Sequence, residues 1–362
     1  MKGKVYVAIS GGVDSSVAAF LLKEKGYDCT GITLKMFDGN DSRVFDEPVI
    51  SDSDITDART ICTKLEIPHK VLGMENEFKK CVMENFADVY FSGGVPNPCI
   101  VCNKKIKFSK VLECALQDGF DYIATGHYCS IEKDSGGRYI LKKALDCAKD
   151  QTYMLYSLGQ DVLSRVLFPL GGLSKAEVRK IAEDNGLITA RKKDSQDICF
   201  IKDNDYRAFL RRFTGKESVG GNFILPDGTV IAKHSGVEGY TVGQRKGLGI
   251  AYSHPLYVIS KDVQNNIVTV GKEEDLYSTR VTVTDVNFLP FEKLTRDIKV
   301  KAKLRYSSKE SECIIHPIDE NSVLLEFDTP QRAVTTGQSA VFYDGEYCIG
   351  GGIISASEKI SR

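Results

Sequence analysis

Two parts of the chain carry residue types arranged for chemistry. The first is residues 8–16, AISGGVDSS, where a β-rich run ends in a Gly-Gly turn and a helical pattern begins. Gly11 and Gly12 let the backbone approach a ligand, and the free amides of a helix N-terminus point at an anion. Ser10, Ser15 and Ser16 add hydroxyl donors, and Asp14 is placed to fix the loop, hold magnesium or cap the helix. The loop lacks the Gly-Lys-Ser/Thr ending of a Walker loop, and no lysine sits beside it to reach β- or γ-phosphates. It reads as a phosphate cradle that does not hand the terminal phosphoryl group to an acceptor.

The second part is a set of thiols. Of 11 cysteines, Cys29, Cys62, Cys81, Cys114, Cys129 and Cys147 lie in apolar or helical contexts and read as packed core. Cys99 and Cys102 differ, because PNPCIVCNKKIKF places them in a Pro- and Asn-bearing loop ahead of Lys104, Lys105 and Lys107. Cys199 differs too, flanked by Lys192, Lys193 and Lys202 in KKDSQDICFIKD. Cationic neighbours lower a thiol pKa and attract nucleic-acid phosphate. A single Cys-x-x-Cys pair does not make a zinc ribbon. Three uses remain open: a nucleophile and a persulfide carrier that form and resolve a disulfide, three ligands of an iron–sulfur cluster, or inert thiols.

These residues need a scaffold, and the first 200 residues supply one. VYVAI, CTGITL, HKVLGM and DYIATGH alternate with amphipathic stretches, the rhythm of βαβ units. The expected solution is a doubly wound parallel α/β sheet whose ligands lie at the carboxyl ends of the strands, where residues 10–14 and 125–127 both fall. Residues 38–57, rich in aspartate and without periodicity, read as a surface loop. After about residue 205 the chain becomes glycine-rich and turn-rich. From about 276 six or so short strands, from RVTVTDVNFL to YCIGGGII, read as a small β-barrel. The expected divisions are 1–204, 205–275 and 276–362.

Composition narrows the class. The chain has 362 residues, 42% hydrophobic and 27% charged, with a formal net charge of −1. No stretch approaches the ~18 apolar residues of a membrane span, and residues 1–10 read as a first strand rather than a leader, so no membrane association and a cytoplasmic location are expected. Residues 101–250 carry a basic excess between two acidic flanks, which points to a polyanionic partner.

The string SGGVDS resembles the loop of the ATP pyrophosphatases, the PP-loop or adenine nucleotide alpha hydrolase-like enzymes. That resemblance implies cleavage between the α- and β-phosphates with AMP transferred to a carbonyl oxygen. Over nearly its whole length the chain resembles the tRNA-specific 2-thiouridylases (MnmA-type). The motifs are SGGVDSS at 10–16, NPCIVCNKKIKF at 97–108, ATGHY at 124–128, KDQTYML at 149–155, DSQDICFI at 194–201, GQRKGLGI at 243–250, KLRY at 303–306 and GEYCIGGGII at 345–354.

The resemblance implies ATP, with Mg2+, held by Ala8, Ile9, Ser10, Gly11, Gly12, Val13, Asp14 and Ser15, and main-chain contacts to adenine at Leu34 and Gly126. It implies that Cys199 receives a persulfide sulfur from a donor such as a cysteine desulfurase or sulfur-relay protein, and that Cys102 is the partner thiol. Asn97, Pro98 and Cys99 then meet the target base of the tRNA. His127, Lys149, Asp150, Gln151, Arg305, Tyr306 and Gln338 meet the rest of it, with Arg305 on a barrel strand and Gly126 needed for the close approach of ATP. The best-known members of the family carry Asp at the position of Cys99, and the third cysteine opens the variant of a [4Fe-4S] cluster on Cys99, Cys102 and Cys199. Two competing readings are a PP-loop enzyme acting on a small molecule and a nucleotide-regulated RNA binder without turnover. The barrel is expected to act as a tRNA clamp that can be deleted without loss of ATP binding.

Overall fold

A computed structural model describes residues 2–37, 52–189, 198–201 and 205–359. Strand β1 (Lys4–Ala8) is flanked by β2 (Asp28–Lys35), with helix α1 (Val13–Glu24) crossing over between them. After helix α2 (Asp52–Lys64), strand β3 (His69–Gly73) extends the sheet beyond β2. The chain then returns to the other side of β1 as β4 (Tyr122–Ala124), and the short strand Val166–Leu167 pairs with β4. All four pairings are parallel, as apolar strands buried on both faces require. The direction of winding reverses between β1 and β4, and the crevice of such a switch point lies at the carboxyl ends of the strands.

One face of the sheet is covered by α1, α2 and the helix Lys175–Asp184, through Val17, Ala18, Leu22, Ile61, Val178 and Ala182. The other is covered by two long helical stretches, 75–91 and 98–117, through Phe78, Phe86, Ile106 and Phe108. Each stretch contains a π-helical segment, Lys79–Met83 in the first and Asn103–Lys110 in the second. Such segments recur at functional sites.

The middle of the chain forms a separate four-stranded sheet. Its order is Tyr257–Asp262, Ile267–Gly271, Gly221–Ile224 and Val230–His234, around Phe223, Val258, Val268 and Val270. The C-terminal strands Tyr277–Phe288, Ile298–Lys303, Ser311–Pro317, Ser322–Arg332, Ser339–Asp344 and Tyr347–Lys359 close into a barrel, because the first pairs with the last. Their alternation puts Val281, Val283, Val300, Ala302, Ile315 and Leu325 inside, and closure leaves no unpaired barrel edge.

The barrel is not an appendage. A hairpin of Cys129–Lys133 and Tyr139–Lys143, which follows β4, pairs with the last barrel strand at Lys142↔Tyr347 and Leu141↔Cys348. Val341, Tyr343 and Cys348 of the barrel pack in the same core as Phe86, Phe108 and Tyr153. Deleting residues 276–362 would strip one wall of that core and a strand partner of the hairpin.

Other expectations need correction. Residues 52–57 belong to α2 rather than to a loop, while 38–51 lie outside the described residues. The strand expected at 121–127 stops at Ala124, so Gly126 and His127 sit in the turn beyond it. Arg305 lies in the turn after Ile298–Lys303, not on a strand. Cys147 is exposed and not a core residue. Among the described residues no helix is long and apolar enough to cross a membrane.

The seam between sheet and barrel is sealed by the fully buried Tyr153, whose hydroxyl donates to the Ser339 carbonyl at 2.8 Å. Tyr153→Phe leaves that carbonyl short of a donor and is expected to cost about 1–2 kcal/mol in urea unfolding. An unchanged midpoint would show that the seam contributes nothing.

Candidate active site

The phosphate loop forms where β1 gives way to α1. Gly11 takes a left-handed backbone (φ +72), and a Cβ there would lie 3.0 Å from the Asp54 carbonyl of α2. Gly12 is the N-cap of α1 and caps it with no side chain, so the first amides of the helix face the crevice. Ile9 and Val13 are core residues and can offer a ligand only backbone. The hydroxyls divide by role. Ser15 accepts from the Ser10 amide at 3.2 Å and donates to the Gly12 carbonyl at 3.1 Å; Ser16 donates to the same carbonyl at 2.7 Å and accepts from Thr189. Both shape the loop, and Ser10 is the exposed one.

Leu34, near the end of β2, and Gly126, just past β4, flank the loop on either side. A Cβ on Gly126 would stand 2.8 Å from the backbone of Asp14 and Ser15. Glycine is needed here because the protein's own loop packs against it, whatever ligand is bound.

Asp14 does not cap its helix. Lys175 reaches it from far along the chain, with Nζ 2.7 and 2.8 Å from the two carboxylate oxygens, and the Tyr128 hydroxyl donates to Oδ1 at 2.7 Å. The sequence offered no lysine near the loop, but the fold brings one. Spacing could not reveal it, because Lys175 lies in a different βα unit.

The thiols converge. Asn97 precedes the helix Pro98–Cys102, which runs straight into the π-helical Asn103–Lys110. Cys99 is exposed, while Cys102 is buried with its sulfur 4.0 Å from the Met36 sulfur. Burial pushes the Cys102 thiol up, Lys107 opposing and Cys99 adding to the rise. Cys199 has solvent access, yet the protein packed around its sulfur pushes the thiol up to about 12; Cys102 and Cys99 raise it further and Lys107 opposes. Cys102 thus feels the charge of Cys99 and Lys107, and Cys199 that of Cys99, Cys102 and Lys107. The expectation that basic flanks depress these thiols is reversed at Cys102 and Cys199, because desolvation outweighs Lys107. Lys192, Lys193 and Lys202 lie outside the described residues. Among the described residues no three His, Cys, Asp or Glu side chains are grouped to hold a metal ion.

The positions expected to meet RNA fall into two kinds. Pro98 is buried, both carboxylate oxygens of Asp150 are taken by the Ala144 amide (3.0 Å) and Thr152 hydroxyl (2.6 Å), and the Gln151 side-chain oxygen accepts from the Tyr128 amide (2.9 Å). These residues hold the fold together. His127 packs between Phe108 and Phe168, with Nδ1 2.7 Å from the Thr125 hydroxyl. Burial, with Lys107, pushes it down to about 3, so it serves as a neutral hydrogen-bonding group and not as a cation. Lys149 is half-buried.

The remainder gather on one rim. Tyr306, 43% exposed, sits edge-on to Tyr153 and its hydroxyl reaches the Asp150 carbonyl at 3.4 Å. Arg305 is exposed beside it. Gln338 donates to the Val95 carbonyl at 3.2 Å, and Asn97 bonds the Ser339 hydroxyl at 3.3 Å. Ser339 and Tyr153 carry no chemical signature in the sequence, and only packing reveals their part.

Three family models tile the chain: a tRNA methyl transferase HUP domain over residues 3–203, a tRNA methyl transferase PRC-barrel domain over 207–272 and an aminomethyltransferase beta-barrel domain over 278–354. The tRNA-specific 2-thiouridylase MnmA of Acetivibrio thermocellus is 48% identical over 356 residues, covering 98% of this chain and 99% of that protein. The protein of the same name from Clostridioides difficile is 46% identical over 358 residues, covering 99% of each. A solved 4-thiouridine synthetase–RNA complex with bound ATP aligns at 19% identity over 59% of this chain and 50% of its own, with a TM-score of 0.37, a likeness too slight to carry argument.

Gly126→Ala is expected to push the phosphate loop aside and weaken ATP binding by about tenfold or more, with the fold retained. Isothermal titration against ATP checks this, and unaltered affinity would mean the loop does not depend on that contact.

Proposed function

The chain belongs to the tRNA-specific 2-thiouridylase family, and on that premise we propose that it replaces the 2-carbonyl oxygen of the wobble uridine of tRNA with sulfur, at the expense of ATP. The observation that carries the reading is the presence, on one framework, of a helix-N-terminal phosphate loop and two thiols within reach of each other's charge. The family-model descriptions speak of methyl transfer. Thiols that feel one another's charge, on the same fold as a helix-N-terminal phosphate loop, favour sulfur instead, in keeping with the names of the relatives.

ATP, entering as its magnesium complex, lies along residues 8–15 with its adenine between Leu34 and Gly126. The uridine O2 attacks the α-phosphorus as the N3 proton passes to solvent water. The bond to pyrophosphate breaks, and its electron pair leaves with the pyrophosphate into the loop amides. The base now carries AMP on O2, which leaves far more readily than oxide. The outer sulfur of a Cys199 persulfide attacks C2 and AMP departs. The Cys102 sulfur then attacks the inner Cys199 sulfur, its proton passing to N3 of the base. The S–S bond breaks, sulfur stays on C2, and a Cys102–Cys199 disulfide remains for a two-electron thiol reductant. A desulfurase or relay protein recharges Cys199.

Asn97 and Cys99 border the base, Lys107 steadies the developing thiolates, and Arg305, Tyr306 and Gln338 hold the tRNA on the rim, with neutral His127 donating or accepting one hydrogen bond. Cys99, Cys102 and Cys199 are also the set that a [4Fe-4S] cluster would use. As they stand they do not form a ligand group, and no step runs through one.

The test is mass spectrometry of nucleosides from unmodified tRNA incubated anaerobically with the protein, ATP, Mg2+ and a persulfide donor, with the iron content of the same sample measured. A 2-thiouridine signal that requires ATP is expected. Cys199→Ala is expected to release pyrophosphate yet yield no thiolated base, and normal thiolation by that variant would refute its role.

A further inference from the structure

We propose that Lys175 is the phosphate-directed cation of the loop, supplying from a later βα unit the charge that a Walker loop takes from its own lysine; the inference rests on the ATP chemistry proposed above. A carboxylate in the first turn of α1 is an awkward neighbour for a polyphosphate, since Asp14 shares the helix N-terminus that the phosphates need. The structure cancels that charge with an ammonium. Lys175 holds both Asp14 oxygens, at 2.7 and 2.8 Å, and its side chain is only 12% exposed.

Its placement is over-determined. Lys175 opens the helix Lys175–Asp184, whose N-terminus is fixed by a reciprocal capping box between Ser174 and Glu177. The Lys175 amide donates to Asp146 at 3.0 Å, and the same carboxyl group accepts from the Ala148 amide at 3.1 Å. The Tyr128 ring lies 5.9 Å from the Lys175 ammonium while its hydroxyl bonds Asp14. Tyr128 follows Gly126 and His127 in the turn that presses on the loop, so cation, anion and loop backbone form one assembly. As pyrophosphate takes up the electron pair of the broken Pα–O bond, Lys175 turns from Asp14 toward the new charge.

The test compares binding of ATP, AMP and inorganic pyrophosphate to the full-length protein and to Lys175→Gln, Lys175→Arg and Asp14→Asn by titration calorimetry. Lys175→Gln is expected to lose at least about tenfold in affinity for ATP and pyrophosphate but less than about twofold for AMP, with Lys175→Arg restoring most of the loss. Asp14→Asn, which releases the ammonium, is expected to keep or tighten pyrophosphate binding. Equal weakening toward all three ligands, or an Asp14→Asn variant as impaired toward pyrophosphate as Lys175→Gln, would reduce Lys175 to an anchor for the loop and overturn the proposal. Should Lys175→Gln fail to fold, Asp14→Asn is judged against the wild type: pyrophosphate binding kept or tightened supports the proposal, and a loss of about tenfold or more overturns it. A wild-type protein that binds neither ATP nor pyrophosphate would instead sink the functional reading itself.

Discussion

Ser339 ties the cysteine helix to the barrel. Its carbonyl accepts from Tyr153 at 2.8 Å, its hydroxyl bonds Tyr156 at 3.1 Å and Asn97 at 3.3 Å, and it is almost wholly buried. Around it, the Val95 amide donates to Thr336 at 2.9 Å and Gln338 donates back to Val95. The segment that leads to Cys99 and Cys102 borrows no strand of the parallel sheet. Its position is set by these bonds to the barrel and by the aromatic core beneath. Geometry at the thiols is thereby coupled to a domain whose first residue lies far downstream.

The same packing works against the thiolate form at Cys102 and Cys199. Buried sulfur resists ionisation, and Lys107 alone does not offset the loss of water around Cys102 and Cys199. A thiol held protonated is slow to react with stray disulfides and oxidants. At the other end of the crevice the logic is electrostatic. The loop places an anion, Asp14, where anions must bind, and compensates it with Lys175.

Much of this frame was legible in the residues. Gly11 and Gly12 before a helical run announce an anion site, and the βαβ rhythm places that site at a strand end. The closing strands alternate clearly enough to read as a barrel. Long-range contacts were hidden. Lys175 pairs with Asp14 across 161 positions, a distance at which spacing carries no signal. Cys147 reads as core from its apolar or helical context, yet it lies in a surface turn. Asp150 and Gln151 carry polar groups suited to binding RNA, but the Ala144, Thr152 and Tyr128 groups they satisfy are visible only once the chain is folded. Basic flanks promised reactive thiols, and burial, which no flank reveals, reversed the sign.

The most direct measurement is peptide mass mapping of the wild-type protein after a single turnover on tRNA with Cys199 loaded as persulfide and no reductant present. The expected result is a Cys102–Cys199 disulfide in step with the 2-thiouridine formed. Thiolated base accompanied by free Cys102, or by a disulfide that leaves out Cys199, would contradict the division of labour between the two thiols.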